Sequence, residues 1–347
     1  MATVNIAAVS SALQVEFEPD ITSQINRSSP LLPLLGTRTY RGQNITFDVR
    51  FGSASAGSGA AIAEGTDVST FNNDTKVAAV LQYATMHEAI EVTGLALAAA
   101  ANSSQPAALV DLFSEEITSA AERLGKAIAE QYYVGTGSSN QMLGLLTSSG
   151  GPLGTAGTYA GLARGTYAQW ASNVIGNGGT ARALSLTLMR QAMREAFTDS
   201  GMRPDVIVCD PLQFDKLGGL FDAQKQYVYD VRTMGGIVKL DGNYRALEFD
   251  GRQIVEDVNC PAGKMFFLNS RRVHLATLPP VSPMGSNAMP GDAPAQIEGE
   301  RVATGIQVKI QPLAINGDKY RFGLFAYVQP VVRQPNSCAV LEDLLTT

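Results

Sequence analysis

Between Ala107 and Gly137 apolar residues recur at Leu109, Leu112, Phe113, Ile117, Ala120, Ala121, Leu124, Ile128 and Tyr132. Steps of three and four lay them along one face of a helix. Glu115, Glu116, Glu122, Arg123, Lys126 and Glu130 fall on the other face, with Glu122 and Lys126 in the favourable i,i+4 order. Pro106 suits the first helical turn, and Gly135 and Gly137 offer the positive φ that ends such a run. About 27 residues make a rod of about 40 Å. A helix of that length with one apolar stripe predicts a sheet for it to lie on.

Alternation takes over on either side. Ile45, Phe47, Val49 and Phe51 alternate with Thr46, Asp48 and Arg50, a strand with one apolar face. With a return strand over about Lys76 to Thr93 it forms a long hairpin, 38–93, whose tip is mostly Gly, Ala and Ser. A two-stranded hairpin is marginal in water, so this one needs a neighbour. Late in the chain Ile306, Val308 and Ile310 alternate with Gln307, Lys309 and Gln311, Asn316-Gly317 turns, and Tyr320 to Val328 returns. This late pair is the expected sheet beneath the long helix.

Two other stretches complete the plan. Residues 1–37 hold scattered apolar positions and the proline-punctuated SSPLLPLLG, in which Pro30 and Pro33 interrupt any helix. They read as an arm awaiting a partner surface. From Leu184 to Phe197 a helical stripe runs to Ser200-Gly201, Asp205 to Cys209 is a short buried strand, and Asp210-Pro211 starts a second helix through about Leu217. Leu247–Phe249 and Gln253–Val255 flank Asp250-Gly251 as a hairpin, and Lys264–Leu268 and Val273–Leu278 are further strands. No element is read over 155–180, which contains the sole tryptophan, Trp170.

Composition narrows the function. Charged residues make up 17% of the chain, below the usual quarter, which points to a surface largely covered by something else. The net charge is −6, with no basic footprint for gripping nucleic acid. Cys209, Cys260 and Cys338 are unpaired in spacing and read as free thiols. No secretory signal is read at the start, and LALAAAA (95–101) is too short to span a bilayer. His87 and His274 lack a second ligand at metal spacing. Gly135-Thr-Gly137 follows a helix rather than opening one, so it reads as a cap and not a phosphate loop. Glu115-Glu116 and Glu298/Glu300 read as solvated faces. No catalytic constellation is present, so neither enzymatic activity nor a cofactor is expected.

The order of parts resembles the major capsid proteins of tailed bacteriophages, the Hong Kong 97-type fold. EQYYVGTGSSNQMLGLLTSSG (130–150) is similar to that family's helix end and apolar plug. PDVIVCDPLQFDKL (204–217) is similar to its A-domain strand–helix step, and LEFDGRQIVEDVNCPAGKMFFLNSRRVHL (247–275) to a further run of that domain. The resemblance implies an α+β fold with an N-arm (1–37), an E-loop (38–93), a P-domain with the spine helix (94–180), an A-domain (181–275), P-domain return strands (276–322) and a C-terminal A-domain segment (323–347). It implies a subunit that self-assembles into hexamers and pentamers, forming the icosahedral head around the phage genome. Its partners would be other copies of itself, a separate scaffolding protein, a portal and non-specifically contacted double-stranded DNA. No membrane is involved; the shell would assemble in the host cytoplasm and remain in the virion. On this reading Ile45, Phe47, Val49 and Phe51 are intersubunit residues, at least partly wet in a single chain.

Two features depart from the family's best-known member. The arm begins close to Met1, so scaffolding is expected either from a separate chain or from a segment that this sequence does not include. The tip from Ser53 to Thr70 contains no lysine, the nearest being Lys76, so covalent cross-linking between subunits is not expected. The alternative shell is an encapsulin-type nanocompartment, which shares the fold. An α/β enzyme built on 181–278 is the alternative of another class.

Overall fold

The computed structural model describes residues 29–52, 64–65, 74–95, 112–138, 140–146, 150–222, 246–279, 295–296, 306–313 and 317–346. Residues 1–28 of the arm and nearly all of the hairpin tip lie outside them.

One sheet is built around its longest strand, β15 (Lys319–Val332). Residues 319–328 of that strand pair antiparallel with β4 (Ala84–Thr93), 322–326 with β14 (Gln307–Pro312) and 328–332 with β12 (Val273–Thr277). The short strand β1 (Thr37–Thr39) runs parallel to β12, and β13 (Ala295–Gln296) pairs with β14. The expected late hairpin is present, and the long helix α2 (Leu112–Val134) lies on β4 and β15. Ala120, Ala121, Leu124, Ile128 and Tyr132 are buried as the spacing predicts, joined by Ala129 and Tyr133. On the polar side Arg123 pairs with Glu88 of β4 at 2.7 Å.

The expected return strand over 76–93 is two strands. β3 (Thr75–Leu81) closes the hairpin with β2 (Ile45–Phe51), whereas β4 crosses into the central sheet. The reason is written in the parity of burial. Ala79 and Leu81 are buried at odd positions, then Ala84, Met86, Ile90 and Val92 at even ones. A strand cannot change parity without changing face, so Gln82-Tyr83 marks a break.

Pro30 and Pro33 do not exclude a helix. Leu31–Leu35 forms a single turn, α1, with Pro33 as its third residue, where an N–H has no intrahelical partner to lose. Leu31, Leu32 and Leu35 are buried, and α1 packs against β12. The end of the arm is therefore docked on its own chain.

The second sheet has the order β7 (Asn173–Ile175), β16 (Ala339–Leu341), β11 (Met265–Leu268), β8 (Val206–Cys209), β10 (Arg252–Glu256), β9 (Ala246–Phe249). Helices α3 (Leu186–Ser200) and α4 (Pro211–Asp222) accompany it. The Ser185 hydroxyl accepts from Leu188 N at the start of α3, and Gly201, at φ 69°, ends it by donating to Phe197 O. Asp250 (φ 51°) and Gly251 (φ 72°) make the tight turn expected between β9 and β10. The divisions at 275/276 and 322/323 fall within β12 and β15, both of which belong to the central sheet. The return of the chain to the second sheet begins after Val332, and β7 joins that sheet from the segment ahead of 181.

Candidate assembly surfaces

The four residues expected between subunits are largely covered within one chain. Ile45, Phe47 and Phe51 are buried and Val49 is half-buried. The cover comes from the segment in which no element was read. It contains a small hairpin, β5 (Thr158–Tyr159) and β6 (Leu162–Ala163), and a 3-10 turn at Ala168–Trp170. The Phe51 ring stacks on Tyr167 at 4.4 Å and meets Trp170 edge-on at 6.1 Å; Phe47 lies 6.3 Å from Trp170. The Arg333 guanidinium sits over Phe47 at 5.7 Å. The wet face expected in a single chain is thus a packed one. What β2 and β3 leave exposed is the opposite face, with Thr46, Asp48, Arg50, Lys76, Ala78 and the 41%-exposed Val80.

The segment 150–172 is laced together by Arg164. This buried guanidinium donates to Gly151 O (2.7 Å), Pro152 O (3.1 Å), Ala156 O (2.7 Å) and Trp170 O (3.1 Å). Burial lowers its pKa, since the cation loses hydration, while the carbonyl oxygens it reaches help keep it charged. Trp170 Nε1 donates to Tyr159 O, and the Tyr159 hydroxyl accepts from Val332 N in the central sheet.

The end of the long helix is finished by backbone. Leu145 N and Leu146 N donate to Tyr132 O and Tyr133 O, which have no partner within the helix. Gly135 N bonds Gln131 O, Gly144 N bonds Gly135 O and Gly137 N bonds Met142 O. Gly137 has the expected positive φ (70°), but Gly135 is there for space. A Cβ on Gly135 would meet Met142 O at 2.2 Å, and one on Gly144 would meet Gly135 N at 2.5 Å. The apolar plug after the helix is a strap across its last turn.

A buried carboxylate joins three parts of the chain. Asp257 follows β10 and accepts from Ser29 Oγ (2.5 Å), Tyr133 Oη (2.7 Å) and Asn259 N (2.9 Å). Burial raises its pKa against the pull of these bonds, and burial also pushes the Tyr133 phenol up. An open groove of about 1090 Å³ lies beside the hairpin base, lined in part by Tyr83, His87, Gln131, Gln141, Leu143 and Gln329.

No group of three or more His, Cys, Asp or Glu able to hold a metal occurs among the described residues. His274 is buried against Tyr40, whose hydroxyl lies 2.9 Å from Nε2, while exposed His87 stacks on Phe325. Glu298 and Glu300 lie outside the described residues, as does the side chain of Glu115, and Glu116 is half-buried on the long helix. The three cysteines are buried free thiols whose pKa burial raises, to about 11 for Cys338. Thiols held protonated are poor nucleophiles. No helix among the described residues is long and apolar enough to cross a membrane. Sequence patterns missed Arg164, Tyr167 and Asp257 because their partners are backbone groups or distant side chains. Trp170, as the sole tryptophan, was the one available signal.

The docked end of an arm, a two-stranded hairpin, a long helix on a sheet and a second α/β layer together define a Hong Kong 97-type shell subunit. The chain resembles a subunit of the cyanophage A-1(L) capsid, with a TM-score of 0.74 at 18% identity, covering 96% of this chain and 98% of that one. The capsid of the empty GTA particle gives 0.64 at 12%, covering 99% and 100%. The holo-SrpI encapsulin of Synechococcus elongatus PCC 7942 gives 0.54 at 14%, covering 100% and 98%. No curated protein sequence matches the chain. Residues 3–344 match the family model described as SU10 major capsid protein, and the chain belongs to that family. It is a shell-forming structural protein of the virion that assembles in many copies, and not an enzyme.

Proposed function

We propose that this subunit builds a closed icosahedral head from hexamers and pentamers, and that the β2–β3 hairpin carries an E-loop onto a neighbouring copy. The observation that supports this reading is that β2 and β3 pair with each other and with no other described strand. Their tip, rich in Gly, Ala and Ser, has no core of its own to join. In this reading 1–37 is the N-arm, the central sheet with the long helix is the P-domain, and the second sheet with α3 and α4 is the A-domain. Double-stranded DNA is the cargo, and the net charge of −6 favours a lining that does not grip phosphate. A scaffolding protein and a portal are the partners the family resemblance implies, with assembly in the host cytoplasm.

The register Phe51↔Thr75 allows residues 52–74 to be replaced by Asn-Gly, a two-residue hairpin turn. That chain should keep its fold by circular dichroism yet fail to form normal shells in electron micrographs. Normal closed shells from it would refute the intersubunit role of the hairpin. The encapsulin likeness supports a second reading, a nanocompartment. Co-purification of one enzyme cargo in stoichiometric amount, with no nucleic acid, would favour that reading.

A further inference from the structure

We propose that the segment 150–172 is a bracket that sets the direction in which the β2–β3 hairpin leaves the subunit, with Tyr167 and Trp170 as positioning residues for shell geometry. The inference rests on the reading that the hairpin contacts a neighbouring copy.

Four attachments carry it. Aromatic contacts hold the inner face of the hairpin, through Phe51 on Tyr167 at 4.4 Å and Phe47 and Phe51 on Trp170. A backbone bond holds its outer edge, because Val80 N on β3 donates to Ala160 O at 2.9 Å. Ala160 (φ 53°) and Gly161 (φ 78°) form the tight turn of the β5–β6 hairpin, which presents that carbonyl. The bracket itself is fixed to the body at two more points. Val332 N donates to the Tyr159 hydroxyl, and Leu153 N donates to Leu145 O in the strap across the long helix. Inside, Arg164 ties Gly151, Pro152, Ala156 and Trp170 into one unit. The hairpin is therefore held on its face and along one edge by a part rigidly joined to both the sheet and the helix.

Direction matters because a small angular error at the hairpin base is multiplied along a projecting loop. A two-stranded ribbon is by itself marginal and strongly twisted, so its angle must be imposed from outside. A cover serving only to keep Phe47 and Phe51 dry would need apolar side chains alone. The Val80–Ala160 bond adds a directional constraint at a surface position where water could satisfy the same N–H.

Two variants of the full chain test this. Tyr167→Ala removes a half-exposed ring from the face, and Val80→Pro, at a 41%-exposed position, removes the edge donor while fixing φ there. Expected are thermal midpoints within a few degrees of wild type and amide exchange over 45–51 and 75–81 faster by about tenfold or more. Electron micrographs should show mostly aberrant or mixed-size particles, and Tyr167→Phe should behave as wild type. Should Tyr167→Ala not fold, Val80→Pro decides the matter. Uniform normal shells despite faster exchange would overturn the proposal, as would unchanged exchange in folded variants. Normal shells from the chain with 52–74 replaced would instead overturn the underlying reading of the hairpin.

Discussion

The Gln329 side chain pairs with the backbone of Leu143 in both directions: Nε2 donates to Leu143 O at 3.1 Å, and Oε1 accepts from Leu143 N at 3.4 Å. Gln329 belongs to β15 and is buried, while Leu143 belongs to the strap that closes the long helix. One amide thus fastens the end of the helix to the sheet beneath it. Gln329→Met keeps the volume and removes both bonds. A buried group left without a partner costs about 1–3 kcal/mol, so the variant should lose about 2 kcal/mol in denaturant unfolding. A change below about 0.5 kcal/mol would show that the strap holds without it.

Arg164 invites a sharper substitution. Its fork reaches four carbonyl oxygens with no carboxylate nearby in the bonding set. Lysine keeps the charge but presents a compact ammonium that cannot span them. Arg164→Lys is expected to cost about 2 kcal/mol or more, from carbonyls left unpaired. Trp170, being the only tryptophan, reports the event directly through its fluorescence. A wild-type spectrum and unfolding midpoint in Arg164→Lys would contradict the role given to this side chain.

The elements most legible in the sequence were those whose signals are local. Gly201 ends α3 because a C-terminal cap needs only its own helix, and Asp250-Gly251 made its turn because positive φ is a property of those two residues. The stripe from Ala120 to Tyr132 told which side of the long helix is buried. The apolar face of β2 was equally plain, but periodicity states that a face is covered and not by which part of the chain. Tyr167 and Trp170 supply the cover from more than a hundred residues away. Arg164 was invisible for a related reason: its partners are carbonyl oxygens, which every residue has. The odd-to-even change of buried positions across Gln82-Tyr83 was hidden in the sequence, because Ala78 and Val80 are apolar yet exposed and occupy even positions of β3.

His274 gives a pH dependence of definite sign. Burial, with the positive charges of Arg38 and Arg333, lowers its pKa to about 4, below the ordinary value of about 6.5. Between these values the unfolded chain takes up a proton that the folded chain refuses, so stability falls as pH drops from about 6.5 to about 4. Below that window both states are protonated and the loss is complete, at about 3 kcal/mol for this group. His274→Gln should flatten that part of the curve relative to wild type. Unfolding midpoints taken at intervals from pH 7 to 4 provide the check, and parallel curves would remove His274 from the account.

The last prediction concerns the C-terminus, which is structural to a degree its position would not foretell. β16 lies between β7 and β11, parallel to one and antiparallel to the other. Among the described residues it is the only strand paired with β7. Ala339, Val340 and Leu341 are fully buried, and Leu344 nearly so. Beyond the strand, Glu342 pairs with Lys264 at 2.6 Å, and Asp343 accepts from Asn177 N and Gly179 N at 2.7 and 3.0 Å. Leu345 O accepts from Gln213 Nε2 and Lys216 Nζ of α4. A chain ending at Cys338 would therefore expose the edge of β11 and strand β7. Burial of a Val or Leu side chain contributes about 1.5–3 kcal/mol, so losing Val340, Leu341 and Leu344 alone removes about 5–9 kcal/mol, comparable to the whole stability of an ordinary domain. The truncated protein should be insoluble, or soluble with α3 and α4 rapidly cleaved in limited proteolysis while fragments containing the central sheet persist. Removing only Thr346 and Thr347 should leave the proteolytic pattern and thermal midpoint unchanged. A chain ending at Cys338 that resists protease as well as the full-length protein would mean that the second sheet closes without β16.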